Sequence, residues 1–141
     1  MTIAIPPESP RLQPTGWLRY FSFSVDHKVI GLQYLVCGFA FYLVGGALAG
    51  AIRTELASPV SDFMARDVYN QVLTLHGTVM IFLWIVPVVN GAFGNYLIPF
   101  YVGARDMAFP RLNAVAFWLI PPAGLMLITS YFLTGAAQSG W

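Results

Sequence analysis

Three stretches of this chain carry no Lys, Arg, Asp or Glu: Val29–Ile52, Val68–Ala104 and Leu112–Trp141, of 24, 37 and 30 residues. A helix that crosses the hydrocarbon core of a bilayer needs about 20 mostly apolar residues. Each stretch exceeds that length, and every charged residue falls outside them. The pattern predicts an all-α membrane architecture with three transmembrane helices. Composition agrees, because only 9% of the 141 residues are charged and 57% are apolar, whereas soluble domains carry about 25% charged residues. Seven Lys/Arg against six Asp/Glu leave a net charge of +1. That balance offers no basic excess for nucleic acid, and the partner it implies is the lipid bilayer. The single cysteine, Cys37, excludes an internal disulfide and a Cys-based metal site. Its place in an apolar run reads as a small core residue.

Residues 1–28 form a cytoplasmic or interfacial tail with Pro6, Pro7, Pro10 and Pro14. Trp17, Tyr20, Phe21 and Phe23 then suggest a segment at the membrane surface, where aromatic rings settle. The tail does not read as a signal peptide, since the first apolar run starts late and runs long. Residues 29–141 read as one membrane unit. Its first span is expected at Ile30–Ile52, where Gly46-x-x-x-Gly50 supports helix packing. The second is expected at Tyr69–Ile98, with Asp67 at its start, Pro87 kinking it, and Gly91, Gly94 and Pro99 weakening its end. The third is expected at Leu112–Leu133, interrupted by Pro121-Pro122. Five Lys/Arg lie in the tail and the second loop, against two in the first loop. The positive-inside rule therefore puts the N-terminus on the cytoplasmic side.

His76 is the most informative residue. It sits in Thr74-Leu75-His76-Gly77-Thr78, within an otherwise apolar helix. Polar groups at such depth must find partners, and a neutral imidazole is a common axial ligand of heme iron. The competing reading is a histidine hydrogen-bonded to another helix. His27, between Asp26 and Lys28, reads as an interfacial residue. Arg53 could donate to a cofactor's carboxylates or snorkel beside Glu55. Asp106 could collect protons at a membrane mouth or form a solvated ion pair with Arg105 or Arg111. Asn95 and Asn113 could hold water between helices or satisfy helix ends, and Asn90 is a weaker case. Trp84, Trp118 and Tyr131 read as packing or interface anchors.

Several strings then occur in order: Asp26-His27-Lys28-Val29-Ile30-Gly31, Arg53-Thr54-Glu55-Leu56, Tyr69-Asn70, Thr74-Leu75-His76-Gly77, Gly91-Ala92-Phe93-Gly94-Asn95-Tyr96-Leu97-Ile98-Pro99, Gly103-Ala104-Arg105-Asp106-Met107-Ala108-Phe109-Pro110-Arg111-Leu112-Asn113, Phe117-Trp118-Leu119 and Gly140-Trp141. Over residues 20–141 the chain resembles the N-terminal part of subunit I of heme–copper oxygen reductases, the cytochrome c oxidase family. The resemblance implies the first three helices of a twelve-helix bundle. It implies that His76 is one axial ligand of a low-spin heme, heme A being the expected type, and that the second ligand lies in a later span. It also implies that Arg53 hydrogen-bonds that heme's periphery and that Trp141 lies near its propionates. Glu55 matches an outer-side cation site of some members. Asp106 matches the mouth of a proton pathway lined by Asn95 and Asn113. The ligands of the high-spin heme and of copper lie beyond Trp141, so this stretch alone is not expected to be active.

Quinol-oxidising relatives carry Arg, Asp and His where this chain has Val44, Leu48 and Val68, although Gln71 matches their glutamine. That pattern favours cytochrome c as the donor. The Asp106 motif disfavours the nitric-oxide-reductase branch. The resemblance implies a proton-pumping respiratory oxidase that reduces oxygen to water. Its partners are the remainder of subunit I, subunits II and III, and cytochrome c. The expected location is a bacterial plasma membrane or a photosynthetic internal membrane. The alternatives are a quinol-oxidising member of the same family, a non-enzymatic three-span scaffold, or a channel fragment using Asn90, Asn95 and Asp106.

Overall fold

A computed structural model describes residues 16–57, 59–60, 63–133 and 135–139. The proline-rich start of the tail lies outside the described residues. Among the described residues there is no strand. A short 3₁₀ turn, Trp17–Phe21, precedes three helices long and apolar enough to cross a membrane: α1 (His27–Glu55), α2 (Arg66–Val102) and α3 (Pro110–Leu133).

Each helix begins and ends for local reasons. Asp26 caps α1, its carboxylate accepting from the Lys28 amide at 2.9 Å. Asp67 in the first turn of α2 suits the positive end of the helix dipole. Gly103, at φ 72°, closes α2 in the left-handed conformation that favours glycine. The irregularity expected at Pro87 is a change of hydrogen-bond register. Wide i→i+5 turns run over Val79–Ile85 and Pro87–Phe93, and such turns let a helix pass a residue without an N–H. Gly91 and Pro99 do not weaken the end of α2, because both are buried and the helix runs on to Val102. Nor do Pro121-Pro122 interrupt α3, which is continuous through both. Pro removes a donor and two ladder bonds are lost there, yet the flanking turns keep the helix whole.

α1 packs along α2 and against α3, while α2 and α3 meet only over a short stretch. The α1–α2 seam is made by Gly31, Gly38 and Gly45, seven residues apart. They face Ala92 and Asn95, then Leu83 and Val88, then Val79 and Met80. The descending numbers show that the two helices are antiparallel. Tyr34 meets Phe117 edge-on at 5.1 Å, and Phe41 lies against Gly124, so α1 and α3 run parallel. A Cβ at Gly124 would fall on the Phe41 ring. Among the described residues nothing packs on Gly46 or Gly50, where an added Cβ meets open space. Small residues promote close approach only on the face that has a neighbour.

Two apolar clusters fill the interior. One joins Ile30, Tyr34, Ala92, Ala114 and Phe117, and the other joins Phe41, Leu75, Val79 and Leu83. Cys37 is half-buried and packs against the edge of both. Large apolar side chains elsewhere, among them Leu43, Phe82, Tyr101 and Phe132, are exposed. Their helix faces therefore suit lipid or further helices rather than water.

Candidate functional site at the two ends of the bundle

The antiparallel order gathers the sequence candidates at two ends. One end holds the α1–α2 connection, the start of α2 and the end of α3. The other holds the start of α1 and the α2–α3 loop.

His76 lies ten residues past Arg66, about 15 Å along α2 at ~1.5 Å per residue. It is half-buried, and its Nδ1 lies 2.9 Å from the backbone carbonyl of Gly45 on α1. A carbonyl only accepts, so Nδ1 carries the proton and donates. Nε2 is thereby the bare nitrogen with its lone pair available. A backbone carbonyl on the far ring nitrogen is the arrangement that orients metal-binding histidines and raises their basicity. Gly45 permits the approach because Met80 occupies the space a Cβ would need. Both readings of His76 thus share one geometry: it is hydrogen-bonded to another helix, and it keeps a ligand atom.

Arg53 is exposed on the last turn of α1, eight residues beyond Gly45 and therefore about 12 Å along the axis. Its charge suits the negative end of the helix dipole. Glu55 accepts from the Met64 amide at 3.0 Å and so ties the α1–α2 connection together. Among the described residues no group of three or more His, Cys, Asp or Glu gathers as a metal site. Trp141 lies outside the described residues. Gln71 has a role that sequence reading missed. Its Oε1 accepts from the Ala136 amide at 3.2 Å, next to Gly135 at φ 82°. That bond fastens the segment after α3 to α2, and the glycine that permits the turn was the available signal.

At the other end, Asn95 is buried and its Nδ2 donates to the Gly91 carbonyl at 2.6 Å. Its Oδ1 accepts from Asn113 Nδ2 at 2.5 Å. The two asparagines thus meet directly, joining α2 to α3. His27 is buried at the first turn of α1, and its Nδ1 lies 3.1 Å from Asp106 Oδ1. That oxygen also accepts from the Met107 amide at 2.8 Å. The partner of Asp106 is therefore a histidine 79 residues away, on α1.

A bundle of membrane-length helices with an inward histidine, its far nitrogen fixed and its near nitrogen available, defines an integral membrane protein with a prospective ligand site. Residues 29–141 match the family model described as cytochrome c and quinol oxidase polypeptide I, and the chain belongs to that family. It is similar to "Cytochrome c oxidase subunit 1" of Thermostichus vulcanus, 62% identical over 135 residues, 96% of this chain and 24% of that protein. The protein of the same description from Synechocystis is 60% identical over 141 residues, 100% of this chain and 25% of its own length. "Heme-copper oxidase subunit I+III" of Aeropyrum pernix is 44% identical over 127 residues, 89% of this chain and 16% of that protein. The chain spans about a quarter of the length of the first two.

Proposed function

We propose that this chain forms the first three spans of the catalytic subunit of a proton-pumping terminal oxidase, with His76 as one axial ligand of a low-spin heme. The observation that carries the reading is the Nδ1–H bond from His76 to the Gly45 carbonyl at 2.9 Å. It fixes the tautomer whose Nε2 can bind iron. A bound heme, of type A in this reading, supplies reversible one-electron chemistry. The whole subunit acts with subunits II and III, takes electrons from cytochrome c and reduces oxygen to water. High-spin heme and copper are held by later spans, as is the second ligand of the low-spin heme.

The remaining assignments follow from position and chemistry. Arg53 and Trp141 bind the periphery and propionates of the heme, since a guanidinium fork suits carboxylates. Glu55 serves an outer-side cation in addition to closing the α1–α2 connection. Asp106 collects protons at the cytoplasmic side, and Asn95 and Asn113 line the route inward. Asp106 is part-exposed and can meet water, while its bond to His27 holds the carboxylate at the mouth. The Lys/Arg count puts the N-terminus in the cytoplasm. Residues 1–28 are then the tail and 29–141 the opening of the catalytic domain, in a plasma or photosynthetic membrane.

The test is His76→Ala in the full-length oxidase. The low-spin heme band should vanish from the reduced-minus-oxidised spectrum while the subunit still inserts. An unchanged band would remove His76 from the coordination sphere and return the three-span scaffold as the better reading.

A further inference from the structure

Gln33 is buried, six residues inside the start of α1. Its Nε2 donates to two backbone carbonyls, of Tyr20 at 2.9 Å and Ser22 at 3.0 Å. Two carbonyl acceptors require the NH₂ group of the amide, so the bonds fix its orientation. They pin the chain leaving the 3₁₀ turn against α1, well over one helical turn inside its start. From there the chain runs back outward to Asp26, where α1 begins.

That outward run is short and held at both ends. Its four residues, Phe23 to Asp26, reach at most about 14 Å when fully extended. Ser24 within it is buried, and its Oγ accepts from the Asp26 amide at 3.2 Å. Asp26 in turn caps α1 at the Lys28 amide. Val25, between these anchors, forms one side of a cavity of about 490 Å³ whose other sides include Asp106, Phe109, Pro110 and Arg111. Two residues further on, His27 bonds to Asp106 Oδ1. The run therefore meets the Asp106 end of the bundle twice, once as cavity wall and once as hydrogen-bond partner.

We propose that Gln33 is a positioning residue for proton entry: by pinning Tyr20 and Ser22 it fixes residues 22–26 as the α1-side wall of the cavity at Asp106. This role rests on the reading of Asp106 as the proton mouth. Gln33 does not itself line the cavity and acts through the backbone. Helix initiation does not need it, because Asp26 already caps α1. What its two bonds add is a fixed course for the run that carries Val25 and leads into His27. Without them that run is free to swing, and the first turn of α1 with it. A displacement of about 1 Å at a positioned group is enough to cost a large factor in rate.

The experiment follows proton uptake with a pH-indicator dye as the reduced, full-length oxidase reacts with oxygen. Asp106→Asn should block uptake by this route. Uptake untouched by that variant would overturn the reading of the mouth, and this role with it. Where Asp106→Asn does block uptake, Gln33→Met tests the role alone, since it keeps the side-chain length and loses the donors. It should slow uptake several-fold, within the weight of about ten-fold that one hydrogen bond carries. The low-spin heme band should stay, because His76 lies toward the other end of the bundle. Val25→Trp fills the cavity from its wall, leaves both Gln33 bonds in place and should also slow uptake. In the double variant the loosened run no longer holds the indole over Asp106, so uptake should be no slower than in Gln33→Met. Effects that multiply would show independent action and overturn the proposal. So would unchanged uptake in either single variant. Loss of the heme band together with uptake in Gln33→Met would make Gln33 a determinant of the fold and overturn its role in proton entry.

Discussion

The two histidines of this chain have similar geometry and different partners. His76 Nδ1 lies 2.9 Å from a backbone carbonyl, and His27 Nδ1 lies 3.1 Å from a carboxylate. A carbonyl only accepts, so in its neutral form the ring of His76 carries its proton on Nδ1 and keeps the lone pair on Nε2. Asp106 is an ionisable side chain from the α2–α3 loop, so the His27 contact joins two side chains across elements where the His76 contact joins a side chain to the backbone. One end of the bundle therefore sets a histidine against a backbone acceptor, and the other sets one against an ionisable side chain. Neither difference is a matter of residue type.

The strongest way to break that comparison is to exchange the roles. In the full-length oxidase, His76→Ala should abolish the low-spin heme band, and His27→Ala should leave it intact. Loss of the band in both variants would mean that the two ends are not independent.

Next in size is the contact between α1 and α3. Gly124→Leu drives a side chain into the Phe41 ring, and overpacking of this kind costs about 1–3 kcal/mol. Gly46→Leu points into open space in this structure and should be nearly silent within these three spans. Thermal unfolding of the two variants in detergent checks the contrast, and equal midpoints would refute the packing face assigned to α1.

Asn113→Ala removes the donor to buried Asn95 Oδ1. A buried acceptor left without a partner costs about 1–3 kcal/mol, so the stability loss should be clear by the same measurement. Asn113→Asp should also lose the bond while keeping the volume. His27→Ala should cost least, under about 1 kcal/mol, because its carboxylate partner is 40% exposed. Chemical denaturation would expose a larger loss, and such a loss would make the His27–Asp106 contact a structural clasp.

How far the sequence could be read follows from where each signal resides. Charge-free runs reveal helices because lipid excludes charge everywhere along a span, so all three helices were legible, with five of their six ends two to four residues beyond the expected bounds and the last, Leu133, where expected. Gly46-x-x-x-Gly50 has no neighbour among the described residues, because a small-residue motif does not say which helix covers its face. The heptad Gly31, Gly38, Gly45 was equally visible, yet only the antiparallel pairing with α2 gives it meaning. Pro121-Pro122 misled for a related reason, since the cost of two missing donors depends on whether the flanking turns hold.

What the sequence determined by itself was the class of molecule, its three spans, its family and the chemical identity of His76, Arg53, Glu55, Asp106, Asn95 and Asn113. These are properties of residue type and order. Tertiary structure alone decided which atoms of those residues face one another. It gave Gly45 as the acceptor that sets the tautomer of His76, His27 as the partner of Asp106, Asn113 as the donor to Asn95, and Gln71 as the clasp on Ala136. The reason is physical: a hydrogen bond depends on distances of a few tenths of an ångström between residues 18 to 79 positions apart, and only helix packing fixes distances on that scale.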